Sequence, residues 1–247
     1  MKEPSFISQR RATLAHMSEL MERSRTLRRK LVASAGLSPA RRALAEYQSR
    51  RLAHTYDDFH RQARYRLAVE FFLKDLYGPL DFSQRDADIE RVYPVMTRVL
   101  SGAALDSITE ALELHALSQE LDARMVEILT GELGVTDRVE ARSYAEAFRR
   151  CGNREGRLRQ VELVEQVGRA LDDVVHHPVT YATVLAARLP AKLAGFGELQ
   201  DFIERGVHAF RAMRSADDFI AAIGERERRM LEQIFAGKSG DIPDFAK

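Results

Sequence analysis

The chain has 247 residues, of which 45% are hydrophobic and 30% are charged, and its formal net charge is +1. This composition excludes a chain that stays disordered, and the length is sufficient to bury a hydrophobic core. The single cysteine, Cys151, excludes an internal disulfide and a metal site built from paired cysteines, which predicts a reducing, cytoplasmic environment.

Neither export nor membrane insertion is indicated by the sequence. The first residues, MKEPSFISQRRATLAHM, place charges where a secretory signal needs an unbroken apolar core. No later stretch approaches the roughly 18 consecutive apolar residues that indicate a membrane span. We therefore expect a cytoplasmic protein without a membrane span.

The charge is distributed unevenly along the chain. Residues 1–66 carry 15 Lys and Arg against 6 Asp and Glu, whereas residues 67–247 carry 23 against 31. A basic segment of this kind binds nucleic acid or an anionic surface, or it docks on an acidic part of the same chain. No helix-turn-helix or zinc module accompanies the arginines, and aromatic stacking groups are sparse among them. The sequence therefore favours docking within the chain over nucleic acid.

Helical spacing of apolar residues dominates the first third of the chain. It predicts a helix over about residues 5–35 and a second over about 39–77. The second is expected to be unbroken because no Gly or Pro occurs between Pro39 and Gly78. Gly36-Leu37-Ser38-Pro39 between them predicts a tight turn, in which Gly ends one helix and Ser caps the next. The predicted organisation is a basic N-terminal hairpin (1–77) packed on a helical bundle (78–237), with a frayed tail (238–247).

The remaining sequence continues the helical pattern, with no alternating run long enough for a strand. The leucine-rich stretch 103–129 is apolar on nearly all sides, which predicts a central helix surrounded by others. Further helices are expected over about 83–99, 144–151, 153–177, 181–188, 191–194, 198–213 and 216–236. The predicted fold is an all-α multi-helix bundle with a long N-terminal helical hairpin and a buried central helix.

Loop motifs of nucleotide-binding proteins, serine hydrolases and zinc proteases are absent, which leaves helix-borne carboxylates and histidines. Two Asp-x-x-His pairs, Asp57 with His60 and Asp173 with His176, each place two ligands on one helix face and suggest a metal site. An ordinary explanation competes, because Asp57 can pair with Arg61 and a helix C-terminus favours a cationic His176. The Glu-x-x-His pattern of helical metal sites is missing.

A second candidate lies on the predicted central helix. His115, Ser118 and Asp122 share a face with the apolar Ile108 and Val126, so these polar groups are expected to be partly buried and to need partners. They form either a satisfied polar network in the core or a ligand pocket. The sequence favours the network and leaves the pocket open.

Residues 71–79 read Phe-Phe-Leu-Lys-Asp-Leu-Tyr-Gly-Pro, and residues 81–86 read Asp-Phe-Ser-Gln-Arg-Asp. This segment resembles bacterial proteins grouped as FFLEELY motif proteins, although Lys74 and Asp75 replace the two glutamates. The resemblance continues through 117–122 and 197–202. It implies a helical, cytoplasmic bacterial protein and transfers no reaction, cofactor, partner or catalytic residue. We expect a structural role for the motif residues Phe71, Phe72, Asp75, Tyr77, Arg85 and Asp86.

Asp75 has no partner on its own predicted helix. Glu70 and Lys74 can satisfy each other at i,i+4, whereas the positions three and four residues from Asp75 carry Phe, Gly or Pro. We therefore expect a tertiary partner, Arg85 or Arg91, and a structural rather than a catalytic role for this carboxylate.

The absence of nucleophile, phosphate-loop and complete metal motifs favours a protein that acts through a protein partner or through self-association. The alternative is a helical-bundle metalloenzyme with Asp, His and Glu ligands. A second alternative is weak binding of nucleic acid or an anionic surface by the basic hairpin. The sequence assigns no cofactor and leaves open whether the protein is an enzyme.

Overall fold

The computed structural model describes residues 6–33, 36–76, 83–99 and 102–238 together with Pro243. These residues form eleven α-helices, which confirms the predicted all-α class. The helices are α1 (Phe6–Leu31), α2 (Pro39–Thr55), α3 (Asp57–His60), α4 (Arg66–Phe71), α5 (Ser83–Val99), α6 (Gly102–Gly131), α7 (Ala141–Cys151), α8 (Arg154–His176), α9 (Pro178–Leu193), α10 (Gly197–Met213) and α11 (Asp217–Phe235).

The predicted turn after α1 is present, with one addition. Strands β1 (Val32–Ala33) and β2 (Gly36–Leu37) pair antiparallel, so the first helix ends at Leu31 and not near residue 35. Ser38 caps α2, because its Oγ accepts a hydrogen bond from the Arg41 amide at 3.3 Å, and Pro39 occupies the first turn. Two residues per strand are too few to form a sheet of any extent.

The prediction of one unbroken helix over 39–77 is wrong. The chain leaves the helix at Tyr56, forms the short α3, turns, and resumes in α4, which continues as a π-helical stretch over Phe72–Leu76. Tertiary packing explains the break. The Phe59 ring lies 4.9 Å from that of Tyr65 and 5.3 Å from that of Phe219 on α11. A straight helix would place Phe59 and Tyr65 on different faces, so that both rings could not pack against Phe219.

Helix α6 occupies the centre of the molecule, as predicted. It packs against α1, α2, α7 and α8, and buried apolar side chains run along its length. These are Leu105, Ala116, Leu121, Ala123, Met125, Ile128 and Leu129. Because α1 and α2 both pack on α6, the hairpin lies on the bundle; its treatment as a separate domain stays a prediction. Most of the predicted tail lies outside the described residues.

Several boundaries in the second half follow from local chemistry. Gly152, at φ +63°, ends α7, and the Asn153 side chain caps α8 by accepting from the Gly156 amide at 3.0 Å. Gly168 allows α8 to approach α11, since a Cβ there would lie 3.1 Å from Ile220. The predicted division of residues 181–194 into two helices is wrong: α9 is continuous. Pro190 lies in its last turns, where one missing N–H disturbs little of the helix.

Two hydrophobic clusters of described residues form a large part of the core. The first is centred on Tyr47, Tyr144 and Phe148 and joins α2, α6, α7 and α11. The second is centred on Tyr56 and Phe219 and joins α2, α3, α4 and α11. Helices α2 and α11 contribute to both. Among the described helices, none has the length and apolarity required to cross a membrane.

Candidate functional site

Helix α9 presents an apolar stripe to solvent. Although it packs against α8 and α10, it buries none of its residues. Its exposed aliphatic side chains, which we call the α9 stripe, include Val179, Leu185, Leu189 and Leu193, and the last two are 67% and 81% exposed. At 100° per residue all four fall within one face of the helix. A cluster of this kind on a protein surface marks an interaction site more often than a scattered leucine does.

The charges next to the α9 stripe are already paired within the chain. Arg188 donates from Nε to Glu204 Oε1 on α10 at 2.8 Å, and Gln200 donates to the same oxygen at 2.9 Å. These hydrogen bonds from Arg188, and then from Gln200, lower the pKa of Glu204 to about 2. Lys192 lies 3.7 Å from Asp201. The stripe is therefore bordered by neutralised pairs and offers a partner mainly apolar area.

Two of the three predicted pocket residues line a partly open cavity of about 70 Å³ between α2, α6, α7, α8 and α11. Asp122 Oδ1 accepts a hydrogen bond from Gln48 Nε2 at 2.9 Å, and Ser118 Oγ accepts one from Gln160 Nε2 at 2.8 Å. His115 does not contribute to the cavity lining; its Nε2 lies 2.9 Å from the side-chain nitrogen of Gln119. The central helix thus supplies a polar wall to the cavity.

An ion pair between Arg51 and Glu227 forms another part of the cavity wall. Arg51 donates from Nη1 and Nη2 to the two carboxylate oxygens of Glu227, each at 2.9 Å, and the Tyr56 hydroxyl donates to Glu227 Oε1 at 2.9 Å. Burial lowers the pKa of Arg51, but the attraction of Glu227 outweighs this and raises it above the usual value. Burial also raises the pKa of Tyr144, which lines the same cavity. Arg51 therefore stays charged and paired.

Arg157 is the functional candidate that the sequence analysis did not single out. It is 6% exposed, and its guanidinium lies 4.4 Å from the centre of the Phe148 ring. Nη1 donates to Gln160 Oε1 at 3.4 Å, whereas Nε and Nη2 are buried without a hydrogen-bond partner among the described residues. One sequence signal existed: Arg157 lies in the first turns of α8, where the helix dipole disfavours a cation.

The four predicted metal ligands are not brought together. Asp57 pairs with Arg61, as the competing explanation held, and His60 Nε2 lies 3.6 Å from Glu70. His176 Nδ1 lies 2.8 Å from the carbonyl oxygen of Asp172 on its own helix. In the described ranges, no group of three or more His, Cys, Asp or Glu side chains is arranged to hold a metal ion. The arrangement does not favour the metalloenzyme alternative.

The motif aromatics pack between neighbouring helices. The rings of Phe71 and Phe202 lie 5.4 Å apart, and Phe71 also contacts Gly206 on α10, where a Cβ would lie 3.0 Å from its ring. Phe72 lies 6.1 Å from Tyr56 and takes part in the second hydrophobic cluster. Tyr77 lies outside the described residues, as do the side chains of Arg85 and Asp86.

Asp75 has a tertiary arginine partner, on a helix that the sequence did not suggest. Its Oδ1 accepts hydrogen bonds from Nε and Nη2 of Arg205 on α10, at 3.0 and 2.6 Å. Arg91, one of the two predicted partners, instead pairs with Asp88 at 3.1 Å and lies over the Phe196 ring. The Asp75–Arg205 pair ties the motif to α10 beside the Phe71–Phe202 contact.

Several arginines of the basic hairpin bind to the rest of the chain. Arg23 donates hydrogen bonds from two nitrogens to Glu120 on α6, the shorter of 2.7 Å, and Arg25 pairs with Glu90 on α5 at 3.0 Å. Arg10 donates to the Thr97 carbonyl oxygen at 2.7 Å. These contacts account for part of the basic charge by docking within the molecule, the explanation that the sequence favours.

A family model described as "Domain of unknown function (DUF8198)" matches residues 27–241, from the last turns of α1 to beyond α11. No curated protein matched the chain, and no solved structure matched it either. The match supports the predicted membership of an uncharacterised family, whereas the resemblance to FFLEELY motif proteins stays a prediction.

Proposed function

The chain belongs to the DUF8198 family of domains of unknown function, and we propose that it acts through self-association, binding a second copy of itself through the α9 stripe. We also infer from its sequence motif that it works in the bacterial cytoplasm. The observation that carries the proposal is the exposure of Leu189 and Leu193, at 67% and 81%, on a helix without a buried residue.

A second copy suits this surface for two reasons. First, Arg188 and Lys192 are already bound by carboxylates of α10, so the surface does not require a partner of opposite charge. Second, a two-fold axis brings the same patch of two subunits together, and an apolar stripe along one helix is complementary to its own antiparallel copy. Packing the four side chains of each stripe against the other removes apolar area from water, which drives association.

Analytical ultracentrifugation over a range of protein concentrations tests the proposal. We expect the parent protein to sediment as a dimer, and the double variant Leu189→Glu, Leu193→Glu to sediment as a monomer with unchanged helical circular dichroism. Glutamates placed in the interface would bring like charges together in an apolar environment. The matched control is Leu67→Glu, an exposed leucine on α4 that is 39% exposed; it should leave the dimer intact.

A parent protein that remains monomeric at every concentration would contradict self-association and would leave the α9 stripe to a different protein. A dimer that survives the double variant but is lost in the control would place the interface on another surface, which also overturns the proposal.

A further inference from the structure

We propose that the cavity between α2, α6, α7, α8 and α11 is a binding site for a small monocarboxylate, held by the guanidinium edge of Arg157. This site lies inside the helical bundle and is independent of the α9 stripe. The proposal rests on three observations: a buried cation without a carboxylate partner among the described residues, the geometry of its unpaired edge, and the size and lining of the cavity.

The charge of Arg157 is the first of these. A buried ion costs several kcal/mol unless an opposite charge or hydrogen bonds compensate it. Arg51, equally buried in the same wall, is compensated by Glu227. Among the described residues, Arg157 has only the amide oxygen of Gln160, at 3.4 Å, and the face of the Phe148 ring. Its position near the N-terminus of α8 adds an unfavourable interaction with the helix dipole.

The unpaired edge of Arg157 specifies the chemistry of the ligand. Nε and Nη2 lie on the same side of the planar guanidinium and together form the fork that binds a carboxylate through two parallel hydrogen bonds. Both nitrogens are buried and without a partner among the described residues. Arg51, in the same cavity wall, also has a buried Nε without a hydrogen-bond partner among the described residues. This edge therefore fits an oxyanion with two coplanar oxygens.

The cavity limits the size and charge of that oxyanion. Its volume of about 70 Å³ is roughly five times the 10–15 Å³ that one water requires, which is enough for a short chain of heavy atoms and too small for a nucleotide or a sugar phosphate. Val161, Val164 and Ile223 are among the apolar lining residues that a hydrocarbon tail can contact. Asp122, on the polar wall, opposes any negative charge in the cavity, so the site tolerates at most the single charge that the Arg157 fork binds. A monocarboxylate of a few carbon atoms satisfies all three limits.

Isothermal titration calorimetry and thermal unfolding test this site with sodium acetate, butyrate and hexanoate as probes, and with chloride and phosphate as comparison anions. We expect saturable binding of butyrate and a rise in the melting temperature of the parent protein. Arg157→Met keeps the contact with Phe148 but removes the fork, and should weaken butyrate binding at least about tenfold. Arg157→Lys keeps the charge but not the fork and should also bind more weakly than the parent. Arg154→Met, the same exchange at an exposed arginine of α8, should change the affinity less than about twofold.

A second variant keeps the test decisive if Arg157→Met fails to fold. Val164→Leu leaves the arginine in place and enlarges a side chain in the apolar part of the cavity lining. It should therefore weaken hexanoate binding more than acetate binding. The proposal is overturned if none of the carboxylates binds saturably, if phosphate binds as well as butyrate, or if Arg157→Met or Val164→Leu folds and binds butyrate and hexanoate like the parent.

Discussion

The carboxylate of Asp75 is 15% exposed, whereas the side chain of its partner Arg205 is 54% exposed. The energetic contribution of such a pair lies between those of a fully buried and a fully exposed ion pair. Removing one member of a fully buried pair costs about 3–5 kcal/mol, and an exposed pair contributes less than about 1 kcal/mol. Because water reaches Arg205, the arginine left behind in an Asp75 variant can be solvated in place.

We therefore predict that Asp75→Ala lowers the free energy of unfolding by about 1–2 kcal/mol, the usual worth of a charge-assisted hydrogen bond that is partly open to solvent. Urea denaturation of the parent, both single variants and the Asp75→Ala, Arg205→Ala double variant gives the measurement. The single effects should not add, because both remove the same interaction. A loss below about 0.5 kcal/mol would show that the pair has no structural role.

The contact between helices α4 and α10 depends on the absence of a side chain at Gly206. Phe71 is 8% exposed and its ring lies against Gly206, with Phe202 one turn earlier on α10. A larger residue at position 206 would push the ring out of its place, because protein interiors are packed without spare volume.

Gly206→Leu should accordingly destabilise the protein by about 1–3 kcal/mol, the typical cost of overpacking, despite the better helix propensity of leucine. Thermal and chemical unfolding measure the change. Gly131→Leu is the matched control, because a Cβ at that position meets no atom within 4 Å; its effect should stay within about 0.5 kcal/mol. Equal effects of the two variants would mean that the approach of α10 to Phe71 is not tight.

Sequence patterns predicted elements where the determining chemistry is local. The turn before α2 and the start of α8 follow from Ser38 and Asn153, whose side chains cap the helices a few residues away. The break at Tyr56 was missed because its cause is remote, an aromatic cluster that includes Phe219. The sequence indicates Ser118 and Asp122 as cavity residues, because they share one helix face. It does not indicate Arg157, since only the assembled bundle shows that its fork lacks a partner among the described residues.

Arginine–carboxylate pairs connect helices throughout the molecule and give it a predicted response to acid. Hydrogen bonds from Arg228 lower the pKa of Glu165, which joins α8 to α11, and those from Arg188 lower that of Glu204. Hydrogen bonds from arginines likewise lower the pKa values of Asp58 and Glu146. A carboxyl group with a lower pKa in the folded state stabilises the fold above its unfolded pKa, and the contribution is lost as the pH falls through the folded value.

The free energy of unfolding should therefore decrease as the pH falls from about 4.5, the usual pKa of a glutamate, towards about 2, the pKa of Glu204. Urea denaturation at a series of pH values measures this slope. The Glu165→Gln, Glu204→Gln double variant should be less stable than the parent at neutral pH and should show a shallower slope below pH 4.5. A parent protein whose stability is constant across this window would contradict the prediction.

The pairing of Arg51 with Glu227 has a consequence for how the chain is made. The two residues are 176 positions apart, on the second helix and the last. During synthesis α2 is complete long before α11 exists. Until then Arg51 lacks the carboxylate that pairs with it in the core, and the tyrosines beside it are not covered by α11. Closure of the core must wait for the final helix, and contacts of such long sequence separation form slowly. The nascent chain consequently spends most of its synthesis with an incomplete core.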